Sequence, residues 1–243
     1  MSIFLNIIIY SFIAGLSTIA GVYLVKYFKN WTKRNSVYLI SFAVGVLLAT
    51  AFLNLLPEAI SSETNWALWT LGTIIVLYLL EHAMIIHSCQ EEECEVHNMG
   101  ILSSLGIGFH SLIDGITIGI AFQFGQAIGI IASFAVIFHE TAEGIFTYTL
   151  LTHDNVSKTK ALFYSWLVAL ATPVGAIATY FLTRGMSGIS LGALLSIAAG
   201  SFIYIGSSDL VPATHKKQAF LNVVLVLLGV GFVVLMGRLA PGA

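Results

Sequence analysis

The sequence predicts an all-α integral membrane protein of eight transmembrane helices. Three observations carry that class: 58% of the 243 residues are hydrophobic, 9% are charged where a soluble domain has roughly 25%, and the mean hydropathy is +0.93. A hydrocarbon core of about 30 Å takes about 20 helical residues to cross. Stretches of that length can be drawn at 3–25, 36–60, 66–88, 101–124, 127–151, 161–183, 188–212 and 218–239, α1 to α8 in chain order. They make a single transmembrane domain, 1–243, with no soluble domain, linker or long low-complexity region.

The first stretch meets no cation before Lys26 and has no small-residue cleavage site leading into a soluble domain, so it reads as a span and not as a cleaved signal peptide. The second carries Asn54 and Glu58 toward its far end, beside Pro57. The third closes with Glu81, His82 and His87, followed by the acidic loop Cys89 to His97, which holds Cys89, Glu91, Glu92, Glu93, Cys94, Glu95 and His97. Two cysteines in one loop offer no disulfide framework. The spacing matches no closed zinc module, so the loop reads first as a solvated acidic segment and second as a metal-receiving one. His153, beside Asp154, and His215 fall at the membrane interface.

Orientation follows from the basic residues. Lys26, Lys29, Lys33 and Arg34 lie between α1 and α2, Lys158 and Lys160 between α5 and α6, and Lys216 and Lys217 between α7 and α8, leaving only Arg184 and Arg238 for the other side. The positive-inside rule therefore puts both termini outside and the α3–α4 loop in the cytoplasm. The net charge of −2 says nothing about partners. The bilayer is the expected partner, and nucleic acid is not.

Laying α2 on α7 with an offset of 155 aligns Ser41/Ser196, Ala43/Ala198, Gly45/Gly200, Leu55/Leu210 and Pro57/Pro212. The two helices run in opposite directions, and matching segments of opposite direction are the trace of an inverted repeat. Helices α1–α3 and α6–α8 are then the two repeats around a central α4/α5 pair. Asn54 has Asp209 as its repeat partner, which makes the two candidates for an outer entrance and an inner exit.

The central pair carries the chemistry. His110-Ser111-Leu112-Ile113-Asp114-Gly115 and His139-Glu140-Thr141-Ala142-Glu143-Gly144 share one pattern: His, polar, two spacers, carboxylate, Gly. Residues four apart share a helix face, so each helix offers a stacked pair, His110 with Asp114 and His139 with Glu143. Gly115 and Gly144 would let α4 and α5 approach closely. An unpaired charge at membrane depth costs at least about 2.5–3.5 kcal/mol. All ten Lys and Arg fall in loops or at helix ends, so the partner is either a proton or a bound cation. Two imidazoles and two carboxylates suit a divalent first-row metal, zinc first, with iron, manganese or cobalt behind it. Calcium or magnesium would call for more oxygens.

The segments HSLIDGITIGIAF, HETAEGIFTYTLL and AFLNLLPEA closely resemble the ZIP (zinc- and iron-regulated transporter-like) family of divalent metal transporters. The resemblance covers nearly the whole chain. It implies a transporter that is not an enzyme, moves zinc or another divalent metal into the cytoplasm, and takes the metal as substrate and not as cofactor. Zinc, iron, manganese, cobalt and cadmium are the implied cargoes, and a homodimer is the implied assembly. The metal ligands it implies are His110, Asp114, His139 and Glu143. A neighbouring second site would use Ser111 and Glu140 with Thr172, placed by the register of Pro173 and Gly175. The family often has Asn and Glu where this chain has Ser111 and Thr172, so one strong site is expected. The compact loops point to a prokaryotic plasma membrane. Two other classes compete: an intramembrane zinc hydrolase, because His139-Glu140 begins like H-E-x-x-H although position 143 is Glu, and a proton-conducting protein whose carboxylates never hold metal.

Overall fold

A computed structural model of the chain describes residues 2–88, 99–153, 156–183, 186, 188–215 and 220–239, and for 84–88, 99–103 and 188–190 it describes the backbone only. The loop with Cys89, Cys94 and His97, the His87 side chain, and Asp154, Arg184, Lys216 and Lys217 lie outside this description. Among the described residues, eight helices are long and apolar enough to span a membrane, and there is no strand.

Helix α1 runs Ile3–Tyr27, α2 Lys29–Ser62, α3 Trp66–Ser88, α4 Met99–Phe124, α5 Gln126–His153, α6 Lys158–Leu182, α7 from Gly188 to His215 and α8 Phe220–Leu239. Seven of the eight starts lie within three residues of the sequence reading. The exception is α2, which begins at Lys29 and not at 36, so Phe28 alone separates it from α1. Hydropathy misses these first turns because they are helical but polar. The Thr32 hydroxyl ties the junction by donating to the Leu24 and Phe28 carbonyls, both at 3.0 Å. Between α4 and α5 the chain reverses at Gly125, whose φ of 152° lies where side chains are disfavoured.

The repeat is visible in backbone detail. Helix α2 widens into a π segment at Ala51–Leu55, and α7 does so at Gly206–Leu210, positions related by the same offset of 155 that aligns the sequences. Leu56 N–H reaches back to Ala51 O and Val211 N–H to Gly206 O, five residues each. Pro57 and Pro212 follow directly. Proline removes a helix donor and crowds the preceding turn, and the wider turn ahead of each accommodates it.

Packing obeys the same two-fold relation. Helix α1 packs on α5 as α6 packs on α4; α2 packs on α8 as α7 packs on α3. The result is a bundle of α1, α4, α5 and α6 beside a second group of α2, α3, α7 and α8, joined where α2 meets α5 and α7 meets α4. Phe42, Phe138 and Phe232 fill the α2–α5–α8 junction, Phe138 edge-on to both others and Phe42 tilted to Phe232, with ring centroids 4.9 to 6.1 Å apart.

Gly115 and Gly144 have partners other than the expected ones. A Cβ on Gly115 would strike the carbonyl oxygen of Thr172 in α6, and one on Gly144 the carbonyl oxygen of Thr18 in α1. The glycines thus seat the central helices on α6 and α1, and not on each other. Gly175 and Gly21 complete these contacts from the opposite side, against Leu112 and Thr141.

Candidate metal centre

Four side chains converge where α4 crosses α5. One ligand atom from each of His110, Asp114, His139 and Glu143 lies within 4.8 Å of all the others. His110 Nε2 is 2.7 Å from Glu143 Oε1 and 3.1 Å from Asp114 Oδ2. His139 Nε2 is 3.1 Å from Asp114 Oδ2 and 4.0 Å from Glu143 Oε1. Yet His110 Nε2 is aligned for a hydrogen bond with none of its neighbours, and Asp114 Oδ1 is buried without a hydrogen-bond partner. His139 Nε2 and Asp114 Oδ2 are within hydrogen-bond geometry of each other, so the His110 nitrogen and the second Asp114 oxygen are the atoms left for a further partner, a place that a cation would fill.

The surroundings fix this geometry. His139 Nδ1 lies 2.7 Å from the Ala135 carbonyl oxygen, and because a carbonyl only accepts, Nδ1 carries the hydrogen and Nε2 faces the cluster. Outer hydrogen bonds of this kind set the tautomer and aim of metal-ligating histidines. The Phe202 ring of α7 stands edge-on to His139, centroids 5.9 Å apart. Two imidazoles and two carboxylates are a donor set for a first-row divalent ion.

The four members differ in exposure. Asp114 and His139 have no exposed side-chain surface, whereas His110 and Glu143 are 16% and 12% exposed. The two exposed members lie toward the ends of α4 and α5 that share the side of Lys29, Lys33 and Lys158. The partly exposed members of the cluster are thus the two nearer the basic side.

The remaining predicted residues surround this core. Ser111 is fully buried, its Oγ 3.4 Å from Glu143 Oε2. Glu140, also fully buried, lies outside the four-residue cluster: its Oε1 accepts from the Thr172 hydroxyl at 2.6 Å and its Oε2 from the Thr18 hydroxyl. Thr172 thus meets Glu140 as the α6 register predicts. Thr18 was not foreseen, because nothing in the sequence of α1 marks it; its one signal is a place in the first repeat close to that of Thr172 in the second. Farther along α2, Asn54 Oδ1 is buried without a hydrogen-bond partner and Glu58 is half-buried. On the basic side, Asp209 is exposed and accepts from Ser208 at 3.0 Å, while the Tyr204 hydroxyl donates to Glu81. That tyrosine was also missed. His82 stacks on Tyr78, ring centroids 5.9 Å apart.

The family described as ZIP zinc transporter matches residues 2–93 and 86–237. The zinc transporter foi of Drosophila melanogaster is 29% identical over 174 residues, 67% of this chain and 24% of that protein. Zinc transporter SLC39A7 of Rattus norvegicus is 29% identical over 141 residues, 54% of this chain and 30% of its own length. Zinc transporter ZupT of Streptococcus mutans is 28% identical over 225 residues, covering 84% of this chain and 85% of that protein. The chain spans less than a third of the first two relatives and most of the third. With a match that extends over both repeats and the central pair, the chain belongs to the ZIP zinc transporter family.

Proposed function

We propose that this chain, as one transporter domain over 1–243, carries divalent metal ions across the membrane into the cytoplasm, with zinc as principal substrate and His110, Asp114, His139 and Glu143 as its ligands. The observation that carries the reading is the convergence of four donor atoms within 4.8 Å at membrane depth, with His110 Nε2 and Asp114 Oδ1 buried and without hydrogen-bond partners. Eight spans and the names of its relatives support it. Iron, manganese, cobalt and cadmium are the competing cargoes that this donor set admits. We place the chain in the plasma membrane as a homodimer with both termini outside.

Each residue has a part in this scheme. Asp114 and Glu143 supply the negative charge that replaces the ion's hydration, and His110 and His139 set its preference for a borderline ion over magnesium or calcium. The Ala135 carbonyl, by holding Nδ1, turns His139 Nε2 toward the cluster. Exposure of His110 and Glu143 on the basic side is the geometry of release toward the cytoplasm, where Asp209 and Glu81 lie farther along. A dication moving toward a negative interior gains about 4.6 kcal/mol per 100 mV, from about 2.3 per charge, so uptake needs no nucleotide site.

Hydrolysis is disfavoured by Glu140. A general base would have to reach a metal-bound water, but both of its oxygens are held by threonine hydroxyls outside the cluster. The test is uptake of radioactive zinc into proteoliposomes by wild type, His139→Ala and Glu143→Ala, with iron, manganese, cobalt and cadmium as competitors. Saturable uptake lost in both variants is the expected result; equal uptake by all three overturns the site.

A further inference from the structure

We propose that Glu140 is a positioning residue, a clamp that holds α1 and α6 against α5 and thereby aims His139 and Glu143, and that it is not itself a ligand of the metal. The proposal rests on the metal centre above but assigns a different task to the carboxylate beside it.

Glu140 is fully buried and lies outside the four-residue cluster, and its two oxygens meet hydroxyls of two neighbouring helices. Thr18 of α1 and Thr172 of α6 are also fully buried, and each gives its hydroxyl hydrogen to one oxygen of Glu140. Many helical threonines here return their hydroxyl to the carbonyl four residues back, as Thr141, Thr149 and Thr179 do at 3.2, 2.7 and 2.8 Å. The hydroxyls of Thr18 and Thr172 are instead spent on contacts across 122 and 32 residues of chain.

The same two threonines perform a second task. The Thr18 carbonyl abuts Gly144, next to the cluster carboxylate Glu143, and the Thr172 carbonyl abuts Gly115, next to Asp114. Each threonine therefore seats one cluster helix with its backbone and grips Glu140 with its side chain. One carboxyl group, one residue from His139, braces α5 to α1 and α6, and the Thr172 backbone carries the contact on to α4. A hydroxyl is a weak substitute for a carboxylate ligand, so a chain with threonine at 172 and serine at 111 gains more from Glu140 as a brace than as part of a second ion site.

The experiment uses the purified full chain in detergent with cobalt(II) as the metal probe, reading affinity, bound stoichiometry, the cobalt absorption spectrum and the thermal midpoint without metal. Wild type and His139→Ala first establish binding at the cluster. Thr18→Val, Thr172→Val, their double, Glu140→Gln, Glu140→Ala, and the double with Glu140→Ala follow. A clamp predicts that Glu140→Ala and the double threonine variant each weaken cobalt binding about 10- to 100-fold, as loss of supporting partners does, and that combining them adds little. Glu140→Gln, whose oxygen accepts from one threonine and whose amide donates to the other hydroxyl, falls between wild type and Glu140→Ala and keeps the wild-type spectrum and stoichiometry. A changed spectrum or lowered stoichiometry in Glu140→Gln makes Glu140 a ligand and overturns the proposal. So does wild-type affinity and midpoint in the double threonine variant, which keeps the test decisive where Glu140→Ala does not fold. Absence of cobalt binding in wild type would instead overturn the metal centre, and the metal-free midpoints would still decide the clamp.

Discussion

Replacing Gly115 by alanine tests the packing that the whole centre depends on. A Cβ there would stand 2.8 Å from the Thr172 carbonyl carbon and 2.9 Å from Ala176 N, besides striking the Thr172 carbonyl oxygen. Comfortable carbon contacts are about 3.5–4.0 Å, so α6 must withdraw by roughly 1 Å, and backbone atoms cannot rotate aside. That shift stretches the Thr172–Glu140 hydrogen bond from 2.6 Å beyond bonding range. Overpacking costs about 1–3 kcal/mol and the hydrogen bond about 0.5–1.5 kcal/mol, so the variant loses about 1.5–4.5 kcal/mol. Gly72 of α3 is the control, with nothing within 4 Å of its would-be Cβ; alanine there is neutral or stabilises by up to about 1 kcal/mol. Thermal midpoints in detergent and zinc affinity should fall for Gly115→Ala and hold for Gly72→Ala. If both variants melt and bind alike, the close α4–α6 contact is not what holds the centre.

Three further outcomes follow from the same geometry. Ser111→Ala weakens zinc binding by less than about tenfold, because its hydroxyl stands 3.4 Å from Glu143 and contributes at most one ordinary hydrogen bond; titration calorimetry beside His139→Ala gives the comparison. Tyr204→Phe, which removes the hydroxyl donated to Glu81, lowers the thermal midpoint by the equivalent of about 1 kcal/mol while zinc affinity at the centre is retained, since that pair belongs to the α3–α7 group. Gly144→Ala repeats the Gly115 defect at the two-fold related contact, with the Thr18 carbonyl carbon 2.8 Å from the new Cβ, and should show a similar loss of midpoint; a much smaller loss would show that the two halves of the bundle do not share their packing.

Most of the fold was legible because hydropathy and helix length measure the same thing in a membrane. Where they part, the reading failed: Lys29, Lys33 and Arg34 occupy helical turns that no apolar window detects, and α2 begins seven residues before its apolar stretch. The π segments were legible only indirectly. Pro57 and Pro212 and the offset of 155 marked the place, but a widened turn leaves no residue signature of its own.

The four-residue cluster was legible because a spacing of four on a helix fixes a shared face, and because ionisable groups at membrane depth demand a partner. The glycines were misassigned for a complementary reason. Gly115 and Gly144 record that some backbone comes close, but an absent side chain does not say which one, and it is α6 and α1 that fill those gaps. The same asymmetry hid Thr18. A threonine in an apolar helix normally bonds its own backbone, and only the fold reveals that this one, like Thr172, spends its hydroxyl on Glu140. The two threonines sit in opposite halves of the inverted repeat and make the same pair of contacts, so the symmetry that arranges the helices also converges on a single carboxylate. Glu140 takes the hydroxyls of both halves, one on each oxygen, while the matching place in the α4 motif holds Ser111, whose hydroxyl turns to Glu143 instead.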